Sequence, residues 1–355
     1  METKVITMED REPVDLTRLK EAGEILRRGG LVAFPTETVY GLGGNALDKE
    51  ASQRIYAAKG RPSDNPLIVH IAEWEELSPL VQEVPELAKR LASLYWPGPM
   101  TLIFKKRGCI PYATSGGLDT VAIRMPSDPI ARALIRSAGV PVAAPSANTS
   151  GRPSPTSAQH VLEDLRGAID LVIDGGEVAV GLESTIVDLT GDVPTLLRPG
   201  AVTAEMLRRA IGTLALDPAL TRPLAEGVHP KAPGMKYRHY APRAEMTLVE
   251  GEREQVIQTI NRLAAAAIAA GKKVGVIATD ENRGAYRFGD IKWIGDRANE
   301  AEIAHNLFSV LRAFDADGVD LIYSESIPEH DLGYAIMNRM NKAAGHRHIK
   351  AEKTE

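Results

Sequence analysis

Residues 31–44 read Leu31-Val32-Ala33-Phe34-Pro35-Thr36-Glu37-Thr38-Val39-Tyr40-Gly41-Leu42-Gly43-Gly44. The first four form a continuous apolar run without alternation, the pattern of a strand covered on both faces, and Pro35 ends it. Upstream, Leu16, Leu19, Ala22, Gly23 and Leu26 recur at helical spacing between a cap at Asp15 or Thr17 and a stop at Gly29-Gly30, so a helix spans 15–28. Downstream the alternation continues, with helices over 49–59, 86–95, 129–138 and 203–211 and strands over 66–71, 101–105, 121–124, 140–144, 171–173 and 184–188. Short apolar runs interleaved with helices predict an α/β fold around a mixed twisted sheet.

The chain has 355 residues, 44% of them hydrophobic and 25% charged, which is ordinary for a soluble globular enzyme and long enough for two domains. Between 221 and 243, Pro223, Pro230, Pro233 and Pro242 break any helix, and five cations face one acidic residue, Glu226. Beyond it, strands at 246–250, 273–278 and 321–323 and helices at 254–270 and 300–313 restart the pattern. The reading is a larger domain over 1–212, a basic Pro-rich linker over 213–243, a smaller Rossmann-like α/β domain over 244–345 and a tail from 346. His346-Arg347-His348 in that tail lacks the further ligands a metal site needs.

A net charge of −5 gives the chain as a whole no footprint for nucleic-acid phosphates, although a local basic patch stays open. Cys109 is alone, which excludes an intrachain disulfide and any zinc site built on two thiolates, and fits a reducing cytosol. The N-terminus has no apolar core of a signal peptide, and the longest uncharged run, 137–151, is too short to span a bilayer. A cytoplasmic protein without membrane contact is expected.

Four segments could carry chemistry, each with a plainer alternative. Residues 34–44 place hydroxyls, one carboxylate and three glycines after a buried strand, where open α/β sheets present ligands; the alternative is a Gly-rich turn whose threonines cap the next helix. Lys59-Gly60-Arg61 suits polyphosphate, or else two cations merely complement a helix dipole. If the former, alanine at either cation should cost chemistry before fold. Residues 144–151 offer small hydroxyls and amides for a ribose, base or phosphate, or form an Asx/Ser turn. No histidine lies within that loop to activate Ser146, so a serine hydrolase has little support. Residues 232–242 interleave aromatics with cations, fit to stack on a base and screen phosphates, or serve as a solvated tether. Arg124, in a short apolar strand, needs solvent, a carboxylate ligand or an internal ion pair, and His70 reads as a satisfied core histidine.

Taken together and in order, FPTETVYGLGGNA (34–46), KGRPSDNPLIVH (59–70), WPGPMTLI (96–103), VAIRMP (121–126), APSANTSG (144–151), ESTIVDL (183–189), LRPG (197–200) and APGMKYRHYAP (232–242) closely resemble the YrdC family of threonylcarbamoyl-AMP synthases, in the long form with a C-terminal domain. The resemblance implies a YrdC-like catalytic domain. It also implies a nucleotidyltransferase that makes threonylcarbamoyl-AMP and pyrophosphate from L-threonine, bicarbonate and ATP. The product serves a separate transferase that modifies tRNA. Lys59 and Arg61 are then the catalytic cations. Lys59, Arg61, Asn65, Thr120, Ser146, Asn148, Ser154, Arg198 and a linker tyrosine, Tyr240 or Tyr237, bind ATP, with Mg²⁺ carried by the nucleotide phosphates. Thr38, His70, Arg124, the backbone at Ala144, and Ser184 bind threonine. Two other classes stand beside this one: a non-catalytic double-stranded RNA-binding protein, and a carbamoyl-adenylate module of a carbamoyltransferase, which would also need cysteine-rich zinc motifs.

Overall fold

A computed structural model describes residues 2–8, 10–222, 229–235 and 239–351. It divides into two compact units, Met1–Ser150 with Ser154–Tyr237 and Gly151–Pro153 with Arg238–Glu355. The first contains β1 (Lys4–Thr7), α1 (Leu16–Arg27), β2 (Val32–Phe34), β3 (Gly41–Asn45), α2 (Lys49–Lys59), β4 (Ile68–His70), α3 (Glu86–Tyr95), β5 (Met100–Lys105), β6 (Thr120–Arg124), α4 (Pro129–Ala138), β7 (Val142–Ala143), α5 (Ala158–Leu165), β8 (Leu171–Asp174), β9 (Thr185–Asp188), β10 (Thr195–Arg198), α6 (Ala204–Ile211) and β11 (Ala215–Leu216). Its strands join in one mixed sheet in the order β1-β8-β2-β3-β7-β4-β6-β5-β9-β10-β11.

The apolar run that opened the reading is a central strand. Ala33 of β2 packs into one hydrophobic cluster with Tyr40, Leu42 and Ile55, while Val32 and Phe34 join a second cluster with Leu134 and Ile173. Burial on both faces explains the missing alternation.

The three glycines of the segment read as a pocket edge or a Gly-rich turn lie in β3, paired antiparallel to β2 and β7. Its glycines serve space rather than backbone freedom: a Cβ on Gly43 would sit 2.9 Å from both Phe34 and Val142, and one on Gly44 3.0 Å from Ile55. Asp48, not a threonine, caps α2, and Gly60 ends it at φ 61°. This left-handed turn brings Lys59 and Arg61 onto one loop.

Residues 229–235 belong to the first unit. Lys231 pairs with Asp188 at 3.1 Å, and Ala232 is buried against Ile68, Ile103, Ala122, Ile186 and Leu197 of the sheet. The segment is therefore no solvated tether there, and the anion that Lys231 meets is an internal carboxylate. Lys236, Tyr237 and Arg238, within the stretch read as interleaving aromatics with cations, lie outside the described residues.

The second unit contains β12 (Glu245–Glu250), α7 (Arg253–Ala269), β13 (Val274–Ala278), β14 (Asp290–Trp293), α8 (Glu300–Asp317), β15 (Leu321–Glu325), α9 (Asp331–Ala343) and β16 (His348–Lys350). Its five strands are all parallel, in the order β14-β13-β15-β12-β16, as in a helix-flanked Rossmann-like layer with its own core around Val276, Ile260 and Val249. The segment read as a tail supplies the edge strand β16, where backbone pairing to β12 acts without an apolar pattern. Among the described residues no helix is long and apolar enough to cross a membrane.

Candidate active site

The site is built on the middle of the large sheet. Register aligns His70 with Arg124, Arg124 with Thr101, Thr101 with Ile186 and Ile186 with Arg198, and facing partners in a ladder point to the same side. Four polar side chains thus cross β4, β6, β5 and β10 in a row. Two residues away along each strand, Ile68, Ala122 and Ile103 form a parallel apolar row, over which Ala232 packs.

The loop after β2 folds onto this row. Thr36 Oγ1 accepts from the amides of Thr38 and Val39 and bonds Thr38 Oγ1 at 2.9 Å, closing a tight hydroxyl turn. Arg124 then donates to Thr38 Oγ1 at 2.8 Å and pairs with Glu37 at 2.7 Å, with both charged groups buried. Of the options open for Arg124, the internal ion pair is present. Glu37 is the residue that sequence reasoning missed; its signal was a lone carboxylate in a hydroxyl-rich stretch after a buried strand.

His70 donates from Nδ1 to the Ile68 carbonyl, 3.1 Å away, and packs edge-on against Phe34. A carbonyl can only accept, so Nδ1 carries the proton and Nε2 is left as an acceptor. Burial, with the Arg124 guanidinium beside it, holds the imidazole down to about 3. The sign follows directly: in the unfolded chain a histidine titrates near 6.5, so unfolding takes up a proton between about 6.5 and 3 and stability falls as pH drops through that window. His70→Asn should remove up to about 1.4 kcal/mol per pH unit of that slope, measured by urea unfolding from pH 7 to 4. An unchanged slope would mean that His70 charges in the folded state.

Ser184 lies on the other side of Arg124. Its hydroxyl bonds Thr101 at 2.7 Å, and Arg198 grips both its carbonyl, at 2.9 Å, and its hydroxyl, at 3.0 Å. Arg124 Nε reaches the Gly98 carbonyl at 3.4 Å in the same neighbourhood. Thr38, His70, Arg124 and Ser184 are thus brought together, while Ala144 joins β4 through its amide to the Ile68 carbonyl at 2.8 Å.

A second group collects toward the start of β4 and β6. The Lys59 ammonium, 2% exposed, donates to the Ser146 carbonyl and to the Asn148 carbonyl at 2.5 Å. Arg61 reaches the carbonyls of Asn65, at 3.3 Å, and Pro66, at 3.1 Å, and Tyr56 also donates to the Asn65 carbonyl. Lys59 is therefore no solvated helix-end charge: it ties the 59–65 loop to the 144–151 loop. Thr120 opens β6, four residues before Arg124, so the two lie about 13 Å apart along that strand. Ser154 donates to Glu183 at 2.5 Å.

Tyr240 belongs to the second unit. It is 4% exposed and holds a left-handed φ of 63°, stacked on Phe308 at 5.3 Å with the Arg339 guanidinium 5.8 Å from its ring. Burial there, rather than solvent, is the environment of the expected closing tyrosine.

The mixed α/β sheet thus carries a buried Arg-Thr-His-Ser set in one place and a Lys-Arg loop in another. The family model described as Telomere recombination, Sua5/YciO/YrdC, matches residues 24–200, and the one described as Threonylcarbamoyl-AMP synthase, C-terminal domain, matches residues 202–345. A threonylcarbamoyl-AMP synthase of Pyrococcus abyssi is 51% identical over 340 residues, covering 96% of this chain and 98% of the relative. Its counterpart in Bacillus subtilis is 47% identical, covering 94% of each. The crystal structure of P. abyssi Sua5 complexed with L-threonine superposes with a TM-score of 0.93 at 50% identity, covering 99% of this chain and 100% of that one. The chain belongs to the Sua5/YciO/YrdC family, in the two-domain form.

Proposed function

We infer that the chain is a threonylcarbamoyl-AMP synthase, an enzyme that converts L-threonine, bicarbonate and ATP into threonylcarbamoyl-AMP and pyrophosphate for modification of tRNA. Identity of 51% across 96% of the chain with a relative of that name carries the reading. In it, the threonine amine and bicarbonate condense to a carbamate with loss of water, and a carbamate oxygen attacks the α-phosphorus of ATP, expelling pyrophosphate. Neither step needs a protein nucleophile, so positioning and cationic stabilisation do the work.

Arg124 and Thr38 would take the threonine carboxylate, and the unprotonated Nε2 of His70 would accept from its hydroxyl, with Ser184 and the Ala144 backbone closing the pocket. Lys59, Arg61, Asn65, Thr120, Ser146, Asn148, Ser154 and Arg198 would hold ATP. Among the described residues no three His, Cys, Asp or Glu side chains gather to hold a metal. The buried Asn65 Oδ1 makes no hydrogen bond. Such a donor set fits Mg²⁺ as a passenger on the phosphates, keeping its waters and neutralising phosphate charge.

Pyrophosphate release measured with ATP, threonine and bicarbonate omitted in turn tests the function: each omission should abolish it. Serine lacks one methyl, which a pocket distinguishes by about 1–3 kcal/mol, so serine should turn over roughly 10- to 200-fold less efficiently. Release that persists without threonine would overturn the assignment.

A further inference from the structure

Glu37 and Arg124 form a buried ion pair whose two poles are both short of hydrogen bonds. Neither Oε1 nor Oε2 of Glu37 has a hydrogen-bond partner, nor does Nη2 of Arg124; the 2.7 Å contact between them is close in distance but off the hydrogen-bond direction. A buried carboxylate with unused lone pairs is costly to keep, because desolvation removes its water partners and nothing replaces them. Asp128 does not share this state. Asp128, which feels Glu37 electrostatically, accepts from two amides at the start of α4 and pairs with Arg11 at 2.9 Å. Arg11 is thus occupied with Asp128 and not offered to Glu37. The backbone of the loop is fixed independently, since Val180 and Gly181 donate to the carbonyls of Glu37 and Thr38.

A carboxylate lacking donors beside a guanidinium whose Nη2 lacks an acceptor is the complement of a zwitterion. We propose that Glu37 is the residue that receives the α-ammonium group of L-threonine, as Arg124 receives its carboxylate; this rests on the function inferred above. The pair is a preformed mould for a free α-amino acid. Threonine supplies three N–H donors to the carboxylate and two oxygens to the guanidinium, so binding satisfies the orphaned atoms at both poles. It also fixes which atom is presented for carboxylation: the nitrogen is held against Glu37 instead of rotating about the Cα bonds.

The test is calorimetric titration of the full chain without ATP. Glu37→Gln keeps the size and one acceptor but removes the charge, and should weaken L-threonine binding roughly 10- to 100-fold while ATP binding stays within about twofold. (R)-3-Hydroxybutanoate keeps the carboxylate and hydroxyl and lacks only the amine. It should bind the wild type more weakly than threonine does, and bind Glu37→Gln and wild type equally. Glu37→Asp, with the charge retained, should recover part of the threonine affinity, and circular dichroism of each variant confirms the fold. Equal weakening of both ligands by Glu37→Gln would mean that Glu37 only positions Arg124, and would overturn the proposal. So would threonine affinity within twofold of wild type. A wild-type chain that binds no threonine would instead overturn the function on which the proposal rests.

Discussion

Lys59→Ala abolishes pyrophosphate release, by about 10³-fold or more, and also lowers the melting temperature by roughly 5–15 °C. From the sequence, a cation at a helix end should fail in chemistry before fold, but Lys59 is 2% exposed and is the donor for two buried carbonyls, those of Ser146 and Asn148. Removing it takes the ammonium from both carbonyls, at about 1–3 kcal/mol apiece, and loosens the 144–151 loop, which retains the backbone bond from the Ser150 amide to the residue-59 carbonyl. Lys59→Met separates the two effects. It retains an apolar stem of similar length, so part of the melting temperature should return while turnover does not. Arg61→Ala should lose turnover with a smaller thermal change, because its bonds to the Asn65 and Pro66 carbonyls are longer. Turnover of the Lys59 variants within tenfold of wild type would make Lys59 a loop clamp and remove it from the phosphate site.

Most helices and buried strands were legible because burial imposes a period, but α5, α9 and the buried strand β10 were not read. Spans 49–59, 86–95 and 129–138 were read to the residue, each with a stop or cap that the sequence displays, such as Asp128-Pro129 before α4 and Gly139 after it. Elements held by the ladder alone were not. β1 is largely exposed along Lys4–Thr7, and β16 has exposed ends; each pairs at the edge of a sheet and carries no apolar pattern. β3 was missed for the opposite reason: glycine usually marks a turn, whereas here Phe34, Val142 and Ile55 fill the space its side chains would need. Motif order was enough to gather Thr38, His70, Arg124 and Ser184 as one set, since family resemblance stores three-dimensional proximity that spacing does not. Glu37 stayed out of view because a carboxylate between two threonines looks like surface. Only the register that places Arg124 under that loop shows that it is buried.

Arg124→Gln raises the KM for threonine about 100-fold or more while the KM for ATP moves less than about threefold. The guanidinium serves Thr38 Oγ1 at 2.8 Å and Glu37 at 2.7 Å, beside the Gly98 carbonyl on Nε, so its loss removes the cation facing the substrate carboxylate and strands Glu37 without a counter-charge. Breaking a buried pair from one side costs about 3–5 kcal/mol, and the single variant should therefore melt well below wild type. Charge reversal to Glu would confuse the matter by setting two carboxylates against each other. The informative partner is the double variant Arg124→Gln/Glu37→Gln, in which two neutral amides meet and most of the lost stability returns. Threonine KM should not return with it, because neither pole of the zwitterion is then recognised. Thermal melts and initial rates on the same three preparations decide between packing and recognition. If stability and threonine KM recover together in the double variant, Arg124 acts through the fold alone and the carboxylate must be held elsewhere; if the KM for ATP rises as steeply as that for threonine, the Arg124 row and the Lys59–Arg61 loop form one shared site and do not serve two ligands separately.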